Sequence, residues 1–185
     1  MHRYFVLMAF IILIIAAFLQ VLQLRQEGVH FLGKPTIGKY IFFTAKVALV
    51  ISFGLFIMKA ISPQTGYVTV PEFLDWIAVG LLWFGVFIIL QAIHTLGHSL
   101  KIGLPDSETE LKTTGVYHYS RNPMYTGAFI IGIASCLYCP DLINITFTLF
   151  GIYTHHRIIV QEEQFLSSRF GKDWEQYKNK VKRYL

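Results

Sequence analysis

The sequence predicts an all-α integral membrane protein with about five transmembrane helices, the last two a short hairpin, and a helical cytoplasmic C-terminal tail. Three observations carry this reading. The 185 residues are 54% hydrophobic and only 15% charged, whereas soluble domains carry about a quarter charged residues. Three apolar runs, 4–24, 40–61 and 73–96, each reach the ~20 residues that a helix needs to cross a hydrocarbon core of about 30 Å. Finally, the basic residues gather on one side of the alternating segments, as positive-inside topology requires.

The first run exceeds the roughly 7–15 residues of a signal-peptide apolar region, and no small-x-small cleavage site follows it, so it is expected to be a retained span. Two shorter runs, 124–139 and 142–153, are separated only by Pro140 and Asp141. With alternating spans, one side holds Arg25, Lys34, Lys39, Lys101, Lys112, Arg121 and seven basic residues of the tail, and the other only Arg3. The N-terminus is therefore expected outside and the C-terminus in the cytoplasm. The net charge of +5 then serves orientation and contact with anionic headgroups of membrane lipids, and nothing in it points to nucleic acid.

The tail after residue 154 places Ile158, Ile159, Phe165, Leu166, Phe170, Trp174, Tyr177 and Val181 at nearly helical spacing. Gly171 reads as a stop, with one helix through Phe170 and a second from Asp173. Trp174 and Tyr177 are expected to dip inward beneath a basic surface helix, folding the tail over the cytoplasmic loop 97–123. No repeat or linker divides the chain, and no polar piece reaches the ~40 residues of an independent core. A single membrane domain, 1–185, follows.

Several residues admit bland readings. Cys136 and Cys139 form a lone C-x-x-C pair, read as small apolar residues rather than a redox pair. His94 and His98 have metal-ligand spacing but no evident third ligand, and are read as interfacial histidines, so no metal is expected. Lys46 lies within the second span, where charge is costly. It either neutralises an acid inside the bundle or snorkels to the interface, and both readings stay open.

The chemistry concentrates at residues 115–127, "GVYHYSRNPMYTG", directly ahead of an apolar run. Asn122 and Pro123 suit the N-cap and first position of the fourth span, and the helix start beside Arg121 makes an anion site. Tyr117, Tyr119 and Tyr125 offer ring faces to a cation or an adenine. From the tail, Glu162 and Glu163 supply carboxylates for ribose hydroxyls, and Arg157 a planar fork for a substrate carboxylate. Such a set matches the groups of S-adenosylmethionine: carboxylate, ammonium, sulfonium, ribose diol and adenine.

This stretch, followed by "EEQFLSSRFGKDWEQY", resembles the isoprenylcysteine carboxyl methyltransferase family, membrane enzymes with the patterns G-x-Y, R-[HN]-P-x-Y-x-G and E-E-x-x-L-x-x-x-F-G-x-x-[YW]-x-x-Y. Gly115, Tyr117, Arg121, Asn122, Pro123, Tyr125 and Gly127 match the first block, and Glu162, Glu163, Leu166, Phe170, Gly171, Trp174 and Tyr177 the second. The family commonly has His where Asn122 stands. The resemblance covers about the last 80 residues; the first three spans match only in being apolar. It implies a cofactor, S-adenosylmethionine, bound on the cytoplasmic side beneath the last hairpin and tail and released as S-adenosylhomocysteine. Lys101, Leu111, Tyr117, Asn122, Pro123, Tyr125 and Glu162 would contact it, and Arg157, with Arg121, would serve the acceptor. Residues 1–96 would then be three supporting spans and 97–185 the catalytic region.

The implied reaction is methylation of a prenylcysteine-type carboxylate, on a prenylated protein or a small isoprenoid thioether. That nucleophile is ionised at neutral pH, with a pKa of roughly 3.5, so no general base is required. An amine-lipid N-methyltransferase would instead need a proton acceptor such as His118 or Glu163. Two further readings are a sterol-type membrane reductase, which has more spans, and a non-enzymatic scaffold that binds headgroups through its tail.

Overall fold

A computed structural model of the chain describes residues 1–28, 37–64, 68–100, 103 and 110–185, with His98 described in its backbone only. The helices among them are α1 (His2–Gln26), α2 (Lys39–Ile61), α3 (Glu72–Leu96), α4 (Pro123–Tyr138), α5 (Leu142–Phe170) and α6 (Lys172–Lys180). Single 3-10 turns fall at Gly97–Ser99 and Gly115–His118. α1, α2 and α3 are long and apolar enough to cross a membrane, and α4 is a shorter apolar helix. Their outward faces are oily: Ile14, Phe18, Val50 and Phe87 each expose more than half of their surface. Apolar faces that extensive belong against lipid rather than water.

The fifth apolar run and the first tail helix form one continuous element. α5 has 29 residues because nothing between Gly151 and Gly171 breaks it. At 1.5 Å per residue it is about 43 Å long, more than a hydrocarbon core of about 30 Å can hold. The excess of about 13 Å, roughly nine residues, places its last turns, with Glu162, Glu163 and Arg169, beyond the apolar layer. Gly171, with φ +49, ends it and starts α6.

α3 and α4 pack most extensively, through two facing glycines. A Cβ on Gly85 would lie 2.7 Å from the carbonyl oxygen of Gly127, and one on Gly127 would lie 2.7 Å from that of Gly85. Backbones approach this closely only where side chains are absent, a common device for helices in lipid. Around this crossing, Phe10 of α1, Phe56 of α2, Leu82 and Val86 of α3, and Ile131 and Tyr138 of α4 form the principal core.

A buried polar cluster ties α2, α4 and α5 together. Asn144, fully buried, donates to the carbonyls of Ser135 (3.0 Å) and Cys139 (2.9 Å). Ser135 Oγ donates to the Ser52 carbonyl at 3.0 Å, and the Ser52 and Thr148 hydroxyls pair at 2.8 Å. Polar groups inside a bundle are tolerable when satisfied this fully.

The tail folds back onto the segment before α4. Trp174, Tyr177 and Val181 pack with Leu111, Leu166 and Phe170, so the two aromatic rings of α6 turn into the protein. The backbone N–H of Arg121 donates to the Lys182 carbonyl at 2.9 Å, within a short parallel bridge between Ser120 and Lys182.

Candidate active site

A cavity of about 500 Å³ opens where the helix ends meet this folded tail. Such a volume lies within the range of small-molecule and cofactor sites. One part is apolar, lined by Leu49, Val50 and Phe53 of α2 and Ile89 and Ile93 of α3; the other is polar, with Tyr117, Arg121, Asn122, Tyr125 and Glu162. Val50 and Ala17 line the cavity and remain exposed, so the apolar part is open rather than sealed within the bundle.

Local backbone chemistry sets the polar wall. Gly115 turns into the 3-10 segment with φ +59, and a Cβ there would lie 2.7 Å from Thr95 Oγ1, so both conformation and space call for glycine. This turn presents Tyr117, whose carbonyl accepts a 2.6 Å hydrogen bond from the Tyr177 hydroxyl. Burial raises the pKa of the Tyr117 hydroxyl strongly and that of Tyr177 to about 12, so both stay protonated donors. Asn122 is the N-cap and Pro123 the first residue of α4, but the Asn122 side chain makes no capping bond. It donates instead to Glu163 Oε1 at 3.0 Å.

The two consecutive carboxylates part company. Successive residues diverge by about 100° around a helix, so Glu162 and Glu163 serve different neighbours. Glu163 is 7% exposed in its side chain and receives donors from three residues. Arg121 Nε and Nη2 lie 3.1 and 3.3 Å away, Arg183 Nε and Nη2 at 3.0 and 2.8 Å, and Asn122 completes the set. Burial pushes the Glu163 carboxyl up, but hydrogen bonds from Arg183 and Arg121, with their charges, outweigh it and hold its pKa below the usual value. Arg121 Nη1 also donates to the carbonyls of Val181 (2.7 Å) and Lys178 (3.0 Å). Its guanidinium is thus committed to fastening the tail, and the anion site expected beside it is already filled by Glu163.

Glu162 faces the cavity. Its Oε1 accepts the Tyr125 hydroxyl at 3.0 Å, and its other oxygen has no donor among the described residues. Burial raises its pKa to about 7, while the Tyr125 hydrogen bond and the Lys46 charge pull the other way. This leaves a recessed carboxylate with unused accepting capacity, suited to a cation or a hydroxyl.

Of the residues the sequence singled out, Leu111, Tyr117, Arg121, Asn122, Tyr125 and Glu162 share this cavity. Pro123 is buried and starts α4 outside it, while Tyr119 and His118 are exposed. Lys101 lies outside the described residues. Arg157 is exposed, away from the cavity, and donates to the Tyr153 hydroxyl at 3.4 Å. The reason is helical phase: it precedes Glu162 by five residues, about 140° around the helix at about 100° per residue. Sequence reasoning missed Arg183 as the second partner of Glu163, since it stands six residues beyond the last motif position, Tyr177. Among the described residues, no group of three His, Cys, Asp or Glu side chains is placed to hold a metal ion.

The helices and the chamber at their ends define a multi-pass membrane protein with an amphiphilic ligand site. Residues 74–173 match the family model for phospholipid methyltransferase, and the chain belongs to that family. The curated relatives bear out the resemblance to the isoprenylcysteine carboxyl methyltransferases. A probable protein-S-isoprenylcysteine O-methyltransferase of Oryza sativa subsp. japonica is 31% identical over 114 residues, 59% of this chain and 59% of the relative. The protein-S-isoprenylcysteine O-methyltransferase of Saccharomyces cerevisiae is 38% identical over 96 residues, 49% of this chain and 39% of the relative. That of Schizosaccharomyces pombe is 30% identical over 108 residues, 56% and 46% respectively. The chain thus spans about half the length of the curated relatives it matches. No solved structure matches it.

Proposed function

We propose that this protein is a membrane methyltransferase that uses S-adenosylmethionine to esterify the carboxylate of a prenylcysteine-type acceptor. The carrying observation is that Tyr117, Asn122, Tyr125 and Glu162, distant in sequence, converge on one cavity that is polar on one side and apolar on the other. The names of the relatives supply the acceptor class. In this reading the N-terminus is outside, the tail is cytoplasmic, α4 and α5 are the last two of about five spans, and residues 97–185 form the catalytic region.

The donor set fits the cofactor: Glu162 offers a carboxylate oxygen without a donor among the described residues, beside the rings of Tyr117 and Tyr125. Leu111, Asn122 and the α6 aromatics Trp174 and Tyr177 complete the wall, and Lys101 is proposed as a further contact. When bound, S-adenosylmethionine supplies an electrophilic methyl group on a sulfonium. Glu162 and the tyrosine rings favour positive charge in the polar part, while Leu49, Val50 and Phe53 hold the acceptor's hydrocarbon. Arg121 and Glu163 lock the tail in place, so that the polar wall exists at all. Because the acceptor carboxylate is already ionised, the protein's task is positioning, which contributes on the order of 7–11 kcal/mol in favourable cases.

Titrating purified protein in detergent with S-adenosylhomocysteine and with NADPH tests this, followed by methyl transfer to a panel of prenylcysteines and amine lipids. Micromolar binding of the first ligand alone, with ester formation on prenylcysteines, supports the proposal. Binding of NADPH would favour a reductase, and methylation confined to amine lipids would reassign the acceptor.

A further inference from the structure

Among the described residues, three lysine or arginine side chains line the cavity, and two of them are engaged. Lys112 pairs with Glu110 at 2.7 Å, and Arg121 is held by Glu163 and two carbonyls. Lys46 is the third. Its ammonium lies 5.3 Å from the ring centroids of Phe42 and Tyr125 and has no hydrogen bond or ion pair among the described residues. Lysine inside a span is costly and is commonly kept for a function.

Its position is specific. Leu49, Val50 and Phe53 follow Lys46 at i+3, i+4 and i+7, on one face of α2, and all line the same cavity. The ammonium thus stands where the apolar part meets the polar part. Tyr125 bridges it to the opposite charge: one side of that residue meets Lys46, and its hydroxyl meets Glu162. One chamber therefore presents a carboxylate and an ammonium about a shared tyrosine, with a hydrocarbon slot beginning at the ammonium.

We propose that Lys46 receives the carboxylate of the methyl acceptor and selects anionic over cationic lipid-linked substrates; this rests on the methyltransferase reading above. An amphiphile with its hydrocarbon against Leu49, Val50 and Phe53 brings its anionic head to the ammonium. Glu162 holds the positively charged donor on the other side of Tyr125. One carboxylate oxygen then forms the new bond to the methyl carbon as the carbon–sulfur bond breaks. The bonding electrons leave on sulfur, which becomes a neutral thioether, and no proton moves. An amine headgroup, positively charged at neutral pH, meets a like charge at Lys46 and is disfavoured.

The cofactor's own amino-acid carboxylate is the competing claimant for this ammonium, and the test separates the two. Wild type, K46M and K46R are compared in detergent as full chains. The readouts are thermal stability, S-adenosylhomocysteine and methylthioadenosine binding, and binding of N-acetyl-S-farnesylcysteine and its carboxamide. Wild type is expected to bind the carboxylate at least about tenfold more tightly than the carboxamide, the size of one good charged contact. K46M should bind the two alike, with S-adenosylhomocysteine affinity changed less than about threefold, and K46R should restore the preference. K46M that keeps the carboxylate preference overturns the proposal. So does a loss of S-adenosylhomocysteine affinity with methylthioadenosine unaffected, because the ammonium then belongs to the cofactor. If K46M fails to fold, K46R that folds without the preference also overturns it. Wild type that binds no S-adenosylhomocysteine brings down the methyltransferase reading itself, and with it this one.

Discussion

Tyr125 and Glu162 meet across 3.0 Å, joining the first turn of α4 to the far half of α5 at the polar wall of the cavity. This single hydroxyl is the only donor to Glu162 among the described residues, so the carboxylate keeps an oxygen for a ligand. Removing the acid removes the one carboxylate among the described cavity residues that has no ion pair, Glu110 being paired with Lys112, and with it the charge that would meet the proposed cationic cofactor. E162A is expected to weaken S-adenosylhomocysteine binding by more than about tenfold, the effect of losing a charge-assisted hydrogen bond. Y125F should weaken it less, since the ring remains. Calorimetric titration checks both, and unchanged affinity in E162A would remove Glu162 from the site.

The acidity of Glu162 makes a second prediction. Its pKa is raised from the ordinary 4.5 to about 7, with burial the largest cause. An acid whose folded pKa exceeds its unfolded value binds its proton more tightly when folded. Stability is then highest below pH 4.5 for this group, falls as pH rises from 4.5 to about 7, and levels off above. Glu163 runs opposite: its folded pKa is lowered, so its contribution is present above the unfolded value and lost as pH falls through the folded one. Melting temperatures from pH 4.5 to 8 should therefore lose their downward component in E162Q. S-adenosylhomocysteine binding by wild type should strengthen as pH rises through about 7.

Much of this architecture was legible in the residues. The apolar lengths marked α1 to α3, Asn122–Pro123 marked the start of α4, and Gly171 marked the break before α6. These are local signals, set by backbone geometry and by the thickness of the apolar layer. What local signals cannot carry is which way a polar side chain turns. Asn122 has the right identity for a cap, yet its Nδ2 donates to the buried, charged Glu163, and its side chain makes no bond to the first turn of α4. Arg157 was one helical calculation away from being placed: His155, Glu162 and Leu166 share a stripe of α5, and Arg157 falls well off it. The role of Arg183 depends on the chain returning past Ser120, and no spacing in the sequence encodes that return.

The glycine crossing of α3 and α4 offers a test of the scaffold. G85A or G127A places a methyl 2.7 Å from backbone oxygen, so the helices must separate rather than a side chain rotate. Overpacking of this kind costs about 1–3 kcal/mol. Gly80, on the same helix as Gly85, has no atom within 4 Å of a built Cβ, and G80A should be neutral or slightly stabilising. Thermal unfolding in detergent distinguishes them, and a G85A protein as stable as G80A would contradict the close crossing.

The tail clasp is the sharpest stability prediction. Glu163 and Arg121 have side chains only 7% and 8% exposed, and Arg183 closes on the same carboxylate. Truncating one member of a buried charged set strands its partners, which costs about 3–5 kcal/mol. E163A leaves two guanidiniums facing each other without their shared acceptor, so it should cost more than R183A, whose partner retains Arg121 and Asn122. The damage should be local: α6 and residues 181–185 should lose amide protection while α1 to α3 keep theirs, because the clasp joins the tail to the segment before α4 and touches none of those helices. Hydrogen exchange resolved by segment is the measurement. The proposed cofactor pocket should fail with the clasp, since Trp174 and Tyr177 form part of the cavity wall, so E163A should lose S-adenosylhomocysteine binding although Glu163 itself does not face the cavity. The double variant R121A/E163A should be destabilised by less than the sum of the single changes, as expected for groups that act as one unit. Additive losses would show that the two residues hold the tail independently.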